Sequence, residues 1–101
     1  GTANVVSLGT TVKLYQDLGV NANIYPNPAS SILHVLAKFN STRERVSLEL
    51  FNSLGQEKYT CEVKNVSLLN EQLDVSKLSP GIYFLMIQSG DIAISKKIVV
   101  K

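Results

Sequence analysis

The chain of 101 residues has no tryptophan, one cysteine and one histidine, and these shortages argue against several kinds of site. Cys61 cannot form a disulfide within the chain, and one Cys with one His is too small a ligand set for zinc. A hydrolytic triad would need His34, but Ser31 lies three positions away, which on a strand sends the two side chains to opposite faces. Spacing leaves Ser30 and Asp74 open, yet we favour His34 as an exposed strand residue. We therefore predict no enzyme activity, no metal and no cofactor.

Long hydrophobic runs and strong charge are also missing. The longest uninterrupted apolar run, Ile82 to Ile87, is far shorter than the roughly 20 residues of a membrane-spanning helix, so we expect no direct membrane insertion. No charged-then-apolar leader opens the chain, and we expect any export signal to lie on a longer precursor. Ten Lys and Arg against eight Asp and Glu give a net charge of +2, and the basic residues are mostly scattered. This excludes a nucleic-acid footprint.

What the chain does contain is β patterning, in which apolar and polar residues alternate over six to eight positions between turn residues. We predict an all-β fold, a seven-stranded immunoglobulin-like β-sandwich, in residues 23–101. Residues 1–22 are richer in Gly, Thr and Asn and are predicted to be a linker or the tail of an upstream module. The predicted strands are Ile24–Tyr25, Ile32–Phe39, one around Val46–Leu50, one around Lys58–Lys64, Ser67–Val75, Ile82–Ser89 and Ile92–Val100.

Turn residues separate these predicted strands. Residues 40–42 (Asn-Ser-Thr) are predicted to be a polar turn, and residues 52–55 a tight hairpin turn in which Gly55 supplies a positive φ. Residues 74–78 are predicted to form one helical turn, with Asp74 accepting from backbone N–H groups. Residues 82–89 are apolar on both faces, as in a central strand covered on both sides. Cys61 follows the inward alternation and is predicted to be a buried, unreactive side chain.

A binding module for carbohydrates is the alternative of a different class. Such sites often present flat aromatic rings, but Tyr59 and Tyr83 follow inward phases and Tyr25 adjoins a turn. We therefore favour a structural role for the tyrosines. A carbohydrate-binding or adhesive β-sandwich of a secreted protein stays open, and saturable glycan binding that depends on Tyr25 or Tyr15 would support it.

Four segments of the sequence, taken in their order and spacing, match the pattern of a known family. They are Tyr25-Pro26-Asn27-Pro28, then Phe51-Asn52 with Leu54-Gly55-Gln56, then Leu73-Asp74-Val75 through Leu78-Ser79-Pro80-Gly81-Ile82-Tyr83, and finally Lys97-Ile98-Val99-Val100-Lys101. Together they closely resemble the C-terminal sorting domain of the type IX secretion system of the Bacteroidetes group. The resemblance covers roughly residues 23–101.

The resemblance implies a secretion signal that directs a passenger across the outer membrane. The passenger would be N-terminal to this domain, in transit through the periplasm and then secreted or at the cell surface. The implied partners are an outer-membrane shuttle protein, the translocon and a sortase. In the family the sortase usually removes the domain and joins the passenger to an anionic lipopolysaccharide, so we expect cleavage ahead of Asn23.

The residues expected to be recognised come from the resemblance. They lie around the last two predicted strands: Pro80, Gly81, Tyr83, Lys96, Lys97, Ile98, Val99, Val100 and Lys101. Lysines on a final strand also discourage aggregation through the edge of that strand. This protective role is compatible with recognition by the export machinery. Because the sequence stops on this strand, we hypothesise that its unpaired backbone is bound by strand addition.

Overall fold

The computed structural model describes residues 21–101, and every regular element in that part of the chain is a β-strand. The all-β prediction is confirmed, although with five strands and not seven. The predicted linker or tail, residues 1–22, lies almost wholly outside the described residues and stays a prediction. The strands are β1 (Asn21–Tyr25), β2 (Ile32–Asn52), β3 (Glu57–Asp74), β4 (Gly81–Ser89) and β5 (Ile92–Val100).

The number of strands differs because β2 and β3 each join two predicted strands. Residues 40–42 do not reverse the chain, so the predicted turn there is wrong. Instead the pairing register shifts at this point. From the pair Lys38–Leu68 to the pair Arg43–Val66, β2 advances by five residues while β3 advances by only two. Such an excess of residues on one strand is a β-bulge, which bends a hairpin. The polar residues 40–42 are exposed at this bend.

The bulge also explains how both halves of β2 face one core. An excess of three residues is odd, so it reverses which alternate positions point inward. Leu33, Val35 and Ala37 are buried before the bulge, whereas Val46 and Leu48 are buried after it. The predicted inward faces of both segments are confirmed. The remaining large members of the core are Phe39, Leu50, Leu69, Leu73, Val75, Tyr83, Leu85, Ile87, Ile98 and Val100.

The sheet is wholly antiparallel between its named strands and has the order β1-β2-β4-β5, with β3 along the other side of β2. β1 pairs with the first half of β2, and β4 pairs with the second half. The bent β2–β3 hairpin therefore curls the sheet around one core. This curled sheet replaces the predicted seven-stranded immunoglobulin-like sandwich, which is not confirmed.

The strand β4 is open on one face, contrary to the prediction that it is covered on both. Tyr83, Leu85 and Ile87 point into the core and are buried. Ile82 and Phe84 on the opposite face are 42% and 40% exposed. The sheet curls around its inner face, and no second layer within residues 21–101 lies over this part of the outer face.

Two predicted turns are formed by asparagine and aspartate side chains. The hairpin at residues 52–55 is confirmed: Gly55 has φ 84°, and the Asn52 Oδ1 accepts from the backbone N–H of Leu54 at 3.0 Å. The Asp74 carboxylate accepts from the hydroxyl and the backbone N–H of Ser76, at 2.6 and 2.9 Å. These bonds lower the pKa of Asp74. Residues 75–78 form a hydrogen-bonded turn in place of the predicted helical turn.

Candidate functional site

The strand β5 forms an edge of the sheet and presents two different faces. Ile98 and Val100 point inward and are buried, while Lys97 is exposed and Val99 half-buried on the outer face. Lys96 alternates with the inward set but is exposed. A charged residue on the inward side of an edge strand discourages pairing with another chain.

The residues expected to be recognised come together where β4 begins and β5 ends. Gly81 pairs with Val100, and Tyr83 pairs with Ile98. Tyr83 is only 4% exposed, and its hydroxyl donates to the Ser79 carbonyl oxygen at 2.7 Å, so it holds the turn before β4. A partner that binds the surface of the folded domain can contact only the exposed members. These are Pro80, Gly81, Lys96, Lys97 and Lys101, with Val99 half-buried.

The backbone edge of residues 97–101 is closed, so the expectation of unpaired groups there is wrong. The Asn27 Nδ2 donates to the Lys97 carbonyl oxygen at 3.0 Å, and its Oδ1 accepts from the Val99 N–H at 2.9 Å. The Ala29 N–H donates to the Val99 carbonyl oxygen at 2.8 Å, and its carbonyl accepts from the Lys101 N–H at 2.9 Å. Strand addition at this edge would have to displace residues 27–29.

Sequence reasoning missed the contact because the two segments are about 70 positions apart. Asn27 is 70 residues from Lys97 and 72 from Val99. The Tyr-Pro-Asn-Pro segment showed only that β1 must stop there. Its placement depends on Ala29, which is fully buried and forms a parallel bridge with Val100.

An apolar surface with one lysine covers the outer face of β4 and β5. We define the outer patch as Ile82, Phe84, Lys97 and Val99. Ile82 pairs across the strands with Val99, and Phe84 with Lys97, so the four side chains are direct neighbours. The sequence did not predict this surface, because a strand that is apolar at every position does not show which face is open.

A pocket of about 340 Å³ opens at the bend of β2, beside the β4–β5 turn. Arg43 in its wall donates from Nε to the Ser89 hydroxyl and from Nη2 to the Ser89 carbonyl oxygen, both at 2.9 Å. Because these bonds use the guanidinium, Arg43 links β2 to the end of β4. The lining residues are Thr42, Arg43, Glu44, Arg45, Ser89 and Gly90.

Shifted pKa values in the strands have local causes. Desolvation, followed by the neighbouring Glu57 carboxyl, raises the pKa of Glu49. A hydrogen bond with Cys61, followed by desolvation, raises the pKa of Tyr59. Cys61 is half-buried against the core, more exposed than predicted. His34 stacks on Tyr25 with ring centroids 5.1 Å apart.

Residues 21–101 contain no group of three or more His, Cys, Asp or Glu side chains placed to hold a metal ion. No helix in this part of the chain is long and apolar enough to cross a membrane. The exposed features described above are the outward side chains of the edge strand β5 and the apolar outer patch.

The comparisons with known proteins place this domain in a family. Residues 23–101 match the Secretion system C-terminal sorting domain, and the chain belongs to that family. The crystal structure of dimeric latent PorU from Porphyromonas gingivalis is similar, with a TM-score of 0.64 and 18% sequence identity. The match covers 80% of this chain but only 9% of that one, and at this identity it shows the fold alone. No curated protein matches the chain.

The domain is therefore a C-terminal sorting signal of the type IX secretion system, as the four segments predicted. The family is not catalytic, and membership implies contact with the secretion machinery and a passenger that is secreted or placed on the cell surface. The carbohydrate-binding alternative is not favoured.

Proposed function

We propose that the export machinery binds the folded domain through the side chains of the outer patch. The partners would be the outer-membrane shuttle protein and the translocon. The precursor, in which the passenger precedes this domain, would meet them in the periplasm. The observation that carries the proposal is the exposure of Ile82 and Phe84 beside Lys97 and Val99, on the strands that contain the sorting segments.

The side chains suit recognition better than the backbone does. The backbone of residues 97–100 pairs with β4 on one side, and on the other side Lys97, Val99 and Lys101 are hydrogen-bonded to residues 27–29. Aromatic and apolar side chains that are partly exposed on a rigid sheet lose little conformational freedom on binding, and such anchors dominate binding energy. Recognition would thus depend on Phe84 and Ile82 as anchors.

The charge around the outer patch indicates the chemistry of the partner. Lys97 belongs to the patch and Lys101 follows the strand, and both are exposed; Lys96 is exposed as well but alternates with the inward set. An apolar surface with acidic side chains at its border would complement them. Attraction between exposed charges weakens with salt, so binding to the shuttle protein should be weaker at high ionic strength.

Substitutions in the outer patch of the full-length precursor test this proposal. Phe84→Glu and Lys97→Glu should each reduce surface delivery of the passenger, by about thirtyfold for an anchor worth about 2 kcal/mol. Lys64→Glu is the matched control for Lys97→Glu, because it makes the same charge change at an exposed position of β3. Normal delivery of both patch variants would refute the proposal. Deleting residues 97–101 is less informative, because it also removes buried Ile98 and Val100.

We also propose that the sortase removes the domain after export and attaches the passenger to an anionic lipopolysaccharide. Family membership supports this step, and cleavage is proposed ahead of Asn23, where the family match begins. Mass spectrometry of the surface passenger should then find no peptide from residues 23–101. Surface passenger that still carries those residues would contradict removal.

A further inference from the structure

We infer that Asn27 is a positioning residue of the sorting signal: its side-chain amide takes the place of a neighbouring strand and fixes the backbone that carries Lys97 and Val99. The inference rests on the proposed function, in which those two side chains are read by the export machinery.

The hydrogen bonds around Ala29 show what a neighbouring strand does at this edge. A residue in a parallel ladder donates to the residue before its partner and accepts from the residue after it. Ala29 lies opposite Val100, donates to the Val99 carbonyl and accepts from the Lys101 N–H. It therefore behaves as one residue of a parallel strand.

The Asn27 side chain repeats that pattern two residues earlier along β5. Its Nδ2 donates to the Lys97 carbonyl and its Oδ1 accepts from the Val99 N–H, so the amide stands opposite Ile98 as Ala29 stands opposite Val100. A primary amide has the donor and the acceptor of a peptide group. In a regular parallel ladder the backbone N–H and C=O of residue 27 would make these two bonds, and here the Asn27 side chain makes them.

Loss of this amide would free the part of β5 that carries the signal. Lys97 would keep an unpaired carbonyl and Val99 an unpaired N–H on the outer edge. Ala29 would still bond the Val99 carbonyl and the Lys101 N–H, so the loosened part would be the backbone from Lys97 to the Val99 N–H, which β4 alone would then hold. Because Lys97 and Val99 belong to the outer patch, local opening there would displace half of that surface.

Amide hydrogen exchange in the whole 101-residue chain tests the contact itself. In Asn27→Ala the Val99 amide should exchange at least about tenfold faster than in the wild type, because it loses its acceptor. Asn27→Asp keeps an acceptor oxygen for Val99 and should retain most of the protection. Asn23→Ala, an exposed asparagine of β1 with no side-chain bond to another described residue, should leave Val99 unchanged. Equal exchange at Val99 in Asn27→Ala and the wild type would overturn the inference.

Delivery of the passenger by full-length precursors tests the role in the signal. Asn27→Ala should reduce surface delivery at least about tenfold. Leu69→Val, which shortens a buried side chain of β3 away from β5, should retain delivery at a similar loss of stability. A purely structural role would make both variants fail alike. Normal delivery by both Phe84→Glu and Lys97→Glu would defeat the proposed function, whereas normal delivery by Asn27→Ala, with Lys97→Glu blocked, would defeat only the positioning role.

Discussion

Replacing Ser89 by alanine should destabilise the domain more than any exposed serine would. Ser89 is 5% exposed and is the one buried polar residue within residues 21–101. Its Oγ accepts from the Arg43 Nε at 2.9 Å and donates to the Arg45 carbonyl oxygen at 2.5 Å. In Ser89→Ala the Arg43 Nε and the Arg45 carbonyl oxygen both lose their bond to the hydroxyl. Arg43 keeps its bond to the Ser89 carbonyl oxygen.

The magnitude follows from the groups left without a partner. A hydrogen bond to a charged group contributes about 1.5–3 kcal/mol, and the bond to the carbonyl of exposed Arg45 contributes about 0.5–1.5 kcal/mol. The Arg43 side chain is 24% exposed, so water replaces part of what it loses. We therefore expect a loss of about 2 kcal/mol. Arg43 also forms an ion pair with Asp91 at 3.9 Å. Because the Asp91 side chain is 77% exposed, this pair contributes little to the stability of the domain.

Urea denaturation of the 101-residue chain at neutral pH measures this free energy of unfolding. Ser95→Ala is the matched control, since Ser95 is exposed on β5, and it should stay within about 0.5 kcal/mol of the wild type. A Ser89→Ala variant that also stays within that margin would refute the account of Ser89 as the joint between the bent hairpin and the end of β4.

Three further predictions concern turns. Tyr83→Phe should lose about 1 kcal/mol in urea denaturation, because it removes one hydrogen bond to the Ser79 carbonyl oxygen; an unchanged midpoint would contradict this. Gly90→Ala should lose at least about 1 kcal/mol, because φ is 59° and a Cβ would lie 2.9 Å from the Arg43 Nη2; thermal unfolding measures it, and an unchanged melting temperature would refute it. The pKa of Asp74 is lower in the folded state, so its carboxylate stabilises the fold above its unfolded pKa, and this contribution is lost as pH falls through the folded pKa. The stability difference between the wild type and Asp74→Ala should therefore shrink in acid, and a constant difference from pH 7 downward would contradict it.

Alternation of apolar and polar residues was enough to predict the strands and most inward faces. The inward residues of both halves of β2, and the asparagine turn at residues 52–55, follow from local rules. The bend at residues 40–42 could not be predicted, because a polar trio is equally compatible with a reversal and with an exposed bulge. Only the pairing of β3 along both halves of β2 distinguishes them.

The site was harder to predict than the fold. The residues expected to be recognised were taken from the family segments, but Tyr83, Ile98 and Val100 are buried and support the fold, so only the other members are available to a partner. The open face of β4 and the role of Asn27 depend on contacts between distant segments. Periodicity describes one strand at a time, so neither could be derived from it.

Transfer of the signal to a foreign protein tests the central claim most directly. The 101-residue chain would be fused behind a signal peptide and a folded reporter, and the surface fraction of the reporter measured in a bacterium with a type IX system. The account predicts that the reporter reaches the surface, and that it stays in the periplasm when Lys97→Glu is introduced or the translocon is deleted. Surface delivery that needs neither the translocon nor Lys97 would contradict it.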